Sequence, residues 1–224
     1  NLNIQNIIEN RIWITQKNWA FFPAWPSIWK YISLGSMNVY IGTILANIFF
    51  ILGAFIMGLY IESISSSKVK YSLYSITAFY PFSYFYSVPL PESLFFFLCS
   101  LYIYSISNLI NSKRSFYLTI FSGISSGLTK QFSIFLCLFA IAEYCKLKKS
   151  DKITRYNLIS LTSAFLSPWL GLALFMNIIF NTTGNAFSFI HIQLAWGRFP
   201  EFPFAAFLES INPNNFGVII DKAD

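Results

Sequence analysis

The sequence has few charged side chains, one histidine and three cysteines. Charged residues make up 11% of the 224 residues, whereas hydrophobic residues make up 55%. A soluble domain of this size would carry about a quarter charged residues, so the composition excludes that class. The cysteines form no CxxC or Cys/His spacing, and a lone histidine supplies no ligand set. We therefore expect neither a metal site nor a cofactor.

What the sequence has instead is long apolar runs and many aromatic side chains. It contains 26 Phe, 13 Tyr and 6 Trp, and several runs are long enough to cross a bilayer, which needs about 20 residues. The formal net charge is +6, but the basic residues lie in short loops between apolar runs. Such residues set membrane topology, so we expect the membrane and not nucleic acid as the partner. The fold class predicted is an all-α polytopic membrane protein.

The apolar pattern divides one transmembrane domain, 1–224, into three parts. Residues 1–37 are polar and aromatic and predict an outer-face interfacial loop with one or two short helices, because Pro23 and Pro26 break any long helix. Residues 38–180 hold the transmembrane helices, with full spans at 38–61 and 158–180. Residues 181–224 predict a second outer-face loop.

Residues 115–144 allow two interpretations. A single tilted helix would carry Lys130 near its middle as a snorkelling lysine. Two short helices, about 116–127 and 132–144, would instead turn at 127–131 and leave every basic loop in the cytoplasm. We prefer the hairpin, whose short helices must be buried in protein or line a wet cavity.

Residues 87–98 place two prolines and a carboxylate between two apolar segments. Pro89 and Pro91 cannot sit inside a regular helix without removing backbone hydrogen bonds. Glu92 then opens the next apolar run, where a negative charge meets the positive end of a helix. An ionisable group at a membrane helix entrance indicates a functional site. A simple helix cap at the water interface explains Glu92 equally well.

The hairpin topology puts four polar features on one side of the membrane. They are the aromatic loop before 38, the turn at 87–92, the turn at 129–131 and the loop at 191–200. Their convergence predicts a wet, charged cavity with Glu92 as the acid and Lys130 and Arg198 as cations. Two cations near one interface suit a phosphate, and aromatic walls suit a sugar ring or a lipid tail. A snorkelling Lys130 and an exposed loop charge at Arg198 remain alternatives.

Several motifs resemble the PIG-V class of membrane glycosyltransferases, the GPI mannosyltransferase 2 type and its bacterial relatives. The first is an FFPxxP signature containing Phe22, Pro23 and Pro26. In chain order there are three others: Pro81 together with Pro91-Glu92-Ser93-Leu94-Phe95; Gly123 to Lys130, with Lys where the family has Arg; and Gln193, Trp196, Arg198 and Pro200. The four motifs occur in the family's order across nearly the whole chain.

The resemblance implies a fold and an activity. The fold would be a GT-C-like transmembrane helical bundle with short broken helices, in the bacterial inner membrane or the endoplasmic reticulum. The activity would be inverting transfer of a sugar, usually mannose, from a polyprenyl-phosphate donor to a lipid or glycan acceptor, as in GPI-anchor biosynthesis. The active site would face the non-cytoplasmic side.

The resemblance also implies residue roles. Glu92, Lys130, Gln193, Trp196 and Arg198 would bind substrate. A second group, Phe22, Pro23, Pro26 and Pro91, would shape the site without doing chemistry. The family's catalytic aspartate stands upstream of FFPxxP, whereas no aspartate precedes Asp151 here. We therefore expect the catalytic residue to lie before residue 1, and it stays unknown.

Two other function classes fit the same pattern. A transporter or flippase for a lipid-linked or small polar substrate also needs a polar cavity among broken helices, but we see no internal repeats. A scaffold subunit of a membrane complex is the third class. It would tolerate alanine at Glu92 and Arg198 with effects on stability alone.

Overall fold

The computed structural model describes residues 22–65, 71–72, 74, 83–109, 112–151 and 153–190. Every regular element in those ranges is helical, which confirms the all-α prediction for this part of the chain. The chain forms two compact units. One is Phe21–Phe187, and the other joins Asn1–Ala20 to Ser188–Asp224 and is described only at 188–190. The helices below belong to the first unit.

The described part of this unit includes six α-helices and two short 3₁₀ segments whose bounds are known. They are α1 (Ala24–Ile32), α2 (Val39–Ile64), α3 (Glu92–Ser107), α4 (Lys113–Gly127), α5 (Cys137–Lys149) and α6 (Arg155–Thr183), with 3₁₀ turns at Ser83–Tyr86 and Gln131–Leu136. By length and composition, α2 with 26 residues and α6 with 29 could each cross a bilayer. Helix α6 contains the span predicted at 158–180, and α2 covers the span predicted at 38–61 except for Asn38, which is its N-cap.

Helix α1 is a short helix in the segment where short helices were predicted. Pro23 is the N-cap of α1 and Pro26 lies in its first turn. Backbone N–H groups in a first turn have no partner within the helix, so proline loses nothing there. The two prolines therefore begin this helix of nine residues, and no long helix runs through them.

The segment 115–144 is not one helix. Helix α4 ends at Gly127, and Lys130 has an extended backbone with φ −155° and ψ 145° before the 3₁₀ turn and α5. Gly123 faces Ser167 and Gly127 faces Gly171, so α4 and α6 run parallel. Helices α5 and α6 share a buried cluster and a short connection, so they run antiparallel. Helix α5 therefore runs antiparallel to α4, the direction that the hairpin interpretation requires.

A proline explains one buried contact between α3 and α6. Pro168 lies inside α6 and has no N–H to donate to the carbonyl of Ala164. The hydroxyl of Tyr102, which is completely buried, donates to that carbonyl at 3.0 Å, and the hydroxyl of Ser167 donates to it at 2.8 Å. The freed acceptor is thereby satisfied, and α3 is fixed against α6 at this point.

Glycines let α4 and α6 touch along their backbones. A Cβ placed on Gly127 would lie 2.5 Å from the carbonyl oxygen of Pro168 and 2.7 Å from the nitrogen of Leu172. A Cβ on Gly171 would meet the backbone of Ile124. Only glycine allows this approach, which is typical of close-packed membrane helices. The contact between Gly127 and Gly171 therefore fixes the position of the end of α4, and of the turn that follows it, along the axis of α6.

The helix directions give the unit two different ends. Helix α3 runs antiparallel to α4, since a short connection joins them and Thr119 and Ser105 share a buried hydrogen bond of 3.0 Å. Helix α2 starts beside Pro89, which is 2.8 Å from a Cβ built on Gly42, and so runs parallel to α3. We call one end the basic end; it carries Lys113, Arg114, Lys146, Lys148, Lys149 and Arg155. We call the other the motif end; it carries α1 and the turns at 87–91 and 128–130.

Candidate functional site

An ion pair joins two of the residues predicted to bind substrate. The Nζ of Lys130 lies 2.7 Å from Oε1 of Glu92, although 38 positions separate the two residues in sequence. Their side chains are 27% and 29% exposed, so the pair is neither fully buried nor fully solvated. The structure thus brings Glu92 and Lys130 together at the motif end.

Glu92 is placed by the proline turn before it. Pro91 is the N-cap of α3 and Glu92 is its first residue, at the positive end of the helix dipole. The next residue, Ser93, is fully buried and donates its hydroxyl to the carbonyl of Tyr86 at 2.7 Å. This bond fixes the entry to α3, so the carboxylate leaves the backbone in one direction.

Lys130 is placed by the end of α4. Its backbone N–H donates to the carbonyl of Ser126 at 2.9 Å, and the N–H of Thr129 donates to the same carbonyl at 3.0 Å. A cation beside the last carbonyls of a helix is favourable for the dipole. Each charge therefore suits its own helix end, and the antiparallel α3 and α4 bring the two ends together.

The surroundings of the pair are asymmetric. On one side, the Nζ of Lys130 lies 5.9 Å from the ring centroid of Phe95, one turn into α3, which is within cation–π range. On the other, Oε2 of Glu92 is buried and accepts no hydrogen bond from the residues that the structure describes. A buried carboxylate oxygen without a donor is costly, so this atom has spare acceptor capacity.

Helix α1 ties both turns together. The indole Nε1 of Trp25 donates to the carbonyl of Pro89 at 3.0 Å, and Trp25 is only 3% exposed. The backbone N–H of Ala24 donates to the carbonyl of Leu128 at 3.1 Å. One helix therefore contacts the turn before Glu92 and the turn before Lys130, so the FFPxxP segment positions both.

The residues predicted to shape the site lie in this assembly. The ring of Phe22 stacks on Phe175 of α6 with centroids 4.0 Å apart, just ahead of the N-cap proline of α1. Pro23 and Pro26 start α1, and Pro91 starts α3. Three of the four polar features predicted to converge therefore do meet. The fourth, with Gln193, Trp196 and Arg198, lies outside the described residues, and its role stays a prediction.

Sequence reasoning missed two side chains of this site. The sequence assigns no individual role to Trp25, which is one aromatic residue of the segment 1–37, whereas the structure makes it a buried donor to the proline turn. Phe95 belongs to the motif at 91–95, but the motif does not predict its place beside Lys130. The available signal was the proline turn itself, because its carbonyls are outside a helix ladder and need donors from elsewhere.

The motif end does not coincide with the end of every helix. Gly171 faces Gly127 close to the turn that carries Lys130, yet α6 continues to Thr183, roughly 18 Å further at the rise of an α-helix. That extension is apolar and includes Leu174, Ile178 and Phe180, which are about half exposed. The ion pair thus lies below the tip of α6.

Comparisons with protein-family models, curated proteins and solved structures gave no match to this chain. Any statement about its activity therefore depends on its motifs and on the geometry of the motif end.

Proposed function

We propose that the protein is a multi-pass membrane glycosyltransferase that transfers a sugar from a polyprenyl-phosphate donor to a hydroxyl of a lipid or glycan acceptor. The observation that carries the proposal is the convergence at the motif end. Three segments that resemble glycosyltransferase motifs meet there, through Trp25 with Pro89, Ala24 with Leu128, and Lys130 with Glu92. They are far apart in sequence, and the fold brings them to one place.

The outward faces of the long helices support insertion in a membrane. Large apolar side chains stand exposed along both: Ile44, Ile48, Ile51 and Phe55 on α2, and Leu166, Trp169, Leu170, Leu174, Ile178 and Phe180 on α6. Soluble monomers rarely expose such continuous apolar surface. Hydrocarbon is the solvent that these faces fit.

The charge distribution supports an orientation. Cytoplasmic loops of membrane proteins carry an excess of Lys and Arg. The basic end holds six such residues of the described part, whereas the motif end holds Lys30 and the paired Lys130. The motif end is therefore the non-cytoplasmic face in this proposal, as polyprenyl-phosphate donors used outside the cytoplasm require.

The ion pair gives the site two binding functions. Lys130 has three N–H donors, so it can contact a phosphate oxygen of the donor while one N–H stays on Glu92. Charge that grows on the leaving phosphate is stabilised by that cation. Oε2 of Glu92 has the acceptor capacity to hold a hydroxyl of the sugar or the acceptor. Neither residue is assigned as the catalytic base.

The identity of the sugar and acceptor comes from the resemblance alone. Mannose as the sugar and a GPI-type or related glycolipid as the acceptor belong to the PIG-V class. Gln193, Trp196 and Arg198 complete the binding set in the same way. We include them in the proposal as residues that contact the donor phosphate and the sugar.

The test is sugar transfer by the full-length protein in vesicles supplied with polyprenyl-phosphate mannose and a glycolipid acceptor. We expect Glu92→Gln and Lys130→Met each to lower transfer by a factor of about 100 or more, the size typical for losing one charge-stabilising group. The matched controls are Glu143→Gln and Lys146→Met, which alter the ion pair of 3.1 Å at the basic end. Both controls should transfer like the wild type.

Two outcomes would overturn the proposal. Wild-type transfer rates in both Glu92→Gln and Lys130→Met, at equal protein levels, would remove the pair from the site. Movement of intact lipid-linked sugar across the vesicle membrane, with no transfer to acceptor, would establish the transporter alternative.

A further inference from the structure

A groove runs between α5 and α6, away from the ion pair. It has a volume of about 200 Å³ and an almost wholly apolar lining, formed by Ala140, Ile141, Tyr144, Leu158, Leu161, Thr162 and Phe165. Ala140 and Leu161 are buried at its floor, while Ile141 and Leu158 stand about half exposed at its sides. Its shape suits a flexible apolar chain lying along the two helices.

Two cations lie on the same helix faces as the groove. Lys148 is four residues after Tyr144 on α5, and Arg155 is three residues before Leu158 on α6. Residues three and four apart are neighbours on one face of a helix. Lys148 and Arg155 are both exposed, so they flank the groove where it reaches the basic end.

The other charges at this mouth leave an excess of positive charge. Lys146 is paired with Glu143, whereas Lys149 is exposed and adds a further cation. Asp151, in the turn between α5 and α6, is the acid nearest in sequence to both flanking cations. Among the described ion pairs, none contains Lys148 or Arg155.

We propose that this groove binds one anionic phospholipid. Its phosphate headgroup lies between Lys148 and Arg155, and one acyl chain lies in the groove along Ile141 and Leu158. Basic sites between membrane helices on the cytoplasmic side favour anionic headgroups, and each Lys or Arg near the surface strengthens binding about fivefold. The inference depends on membrane insertion with the basic end in the cytoplasm, but not on sugar transfer.

The test is native mass spectrometry of the full-length protein in detergent, titrated with dioleoylphosphatidylglycerol or dioleoylphosphatidylcholine. Two cations should favour the anionic lipid by roughly 30-fold in the dissociation constant of the first bound lipid. The double variant Lys148→Gln/Arg155→Gln should abolish that preference. The control Lys113→Gln/Arg114→Gln removes the same charge from α4 at the same end and should keep it.

A second pair of variants tests the acyl chain. Leu158→Trp fills the groove, whereas Ile159→Trp adds the same bulk to the neighbouring exposed residue, which does not line it. We expect only Leu158→Trp to weaken lipid binding, by about 10-fold. Equal losses in both charge variants would show diffuse attraction and overturn the site. Full binding by Leu158→Trp, or displacement of the lipid by inorganic phosphate, would assign the cations to an anion without a chain.

Discussion

The two ends of the unit use lysine in opposite ways. At the motif end, Lys130 is bonded to Glu92, lies over an aromatic ring and is about a quarter exposed. At the basic end, Lys148 and Lys149 are exposed, and the one described ion pair, between Lys146 and Glu143, has a lysine that is 67% exposed. Whether a lysine belongs to a binding site or only marks membrane topology therefore depends on the residues packed around it.

The difference has a backbone origin. Prolines, glycines and a buried tryptophan fix the turns of the motif end, whereas ordinary helix caps at Ser112 and Thr154 start α4 and α6 at the basic end. A turn held by several contacts fixes the direction in which its side chain leaves the backbone, whereas a helix cap leaves the neighbouring side chains free in solvent. Mutations that disturb the first kind of element should therefore have the larger effects.

The largest expected effect comes from the crossing that holds the motif end. Gly171→Leu would drive a side chain into the backbone of Ile124, which cannot give way, and should lower the free energy of unfolding by about 3 kcal/mol or more. Thermal unfolding in detergent measures it. Ala173→Leu, on the exposed face of α6, is the control and should change the melting temperature little. Equal melting temperatures would show that the crossing is not close-packed.

The next effect comes from breaking the ion pair. Lys130→Met leaves the partly buried Glu92 without its cation and should cost about 1–2 kcal/mol of unfolding free energy. Lys113→Met at the basic end removes the same charge from a solvated position and should stay within about 0.5 kcal/mol. Denaturant unfolding of both variants checks this. A Lys130→Met protein as stable as Lys113→Met would remove the contrast between the two ends.

The smallest effect comes from the donor on α1. Trp25→Phe keeps most of the buried ring but deletes the hydrogen bond to the carbonyl of Pro89, at an expected cost of about 1 kcal/mol. Amide hydrogen exchange measured across 87–95 should rise in this variant and stay unchanged across 145–155. Unchanged exchange in both segments would mean that α1 does not hold the proline turn.

Much of this arrangement was predictable from periodicity and charge. The apolar runs gave α2 and α6, and the basic loops favoured the hairpin over a helix through Lys130. The proline-carboxylate turn placed Glu92 at the start of α3, where the structure has it. These features are local, or follow from counting membrane crossings, so one sequence is enough to find them.

The contacts between distant segments were beyond the sequence. Nothing in the spacing says that Tyr102 donates to the carbonyl freed by Pro168, or that Trp25 reaches Pro89. The ion pair itself was equally beyond prediction. The sequence predicts a phosphate as the partner of Lys130, whereas the structure pairs this lysine with Glu92. Such contacts depend on helix crossings, which are set by the fit of many small side chains at once.

The two bonds of α1 have a mechanical consequence. Ala24 and Trp25 are adjacent, and one donates to the turn ahead of Lys130 while the other donates to the turn ahead of Glu92. The two turns cannot separate unless α1 loses one of these two hydrogen bonds. A bulky ligand that separates Glu92 from Lys130 would therefore displace α1. A fluorescent dye attached at Lys30 would report the binding of that ligand.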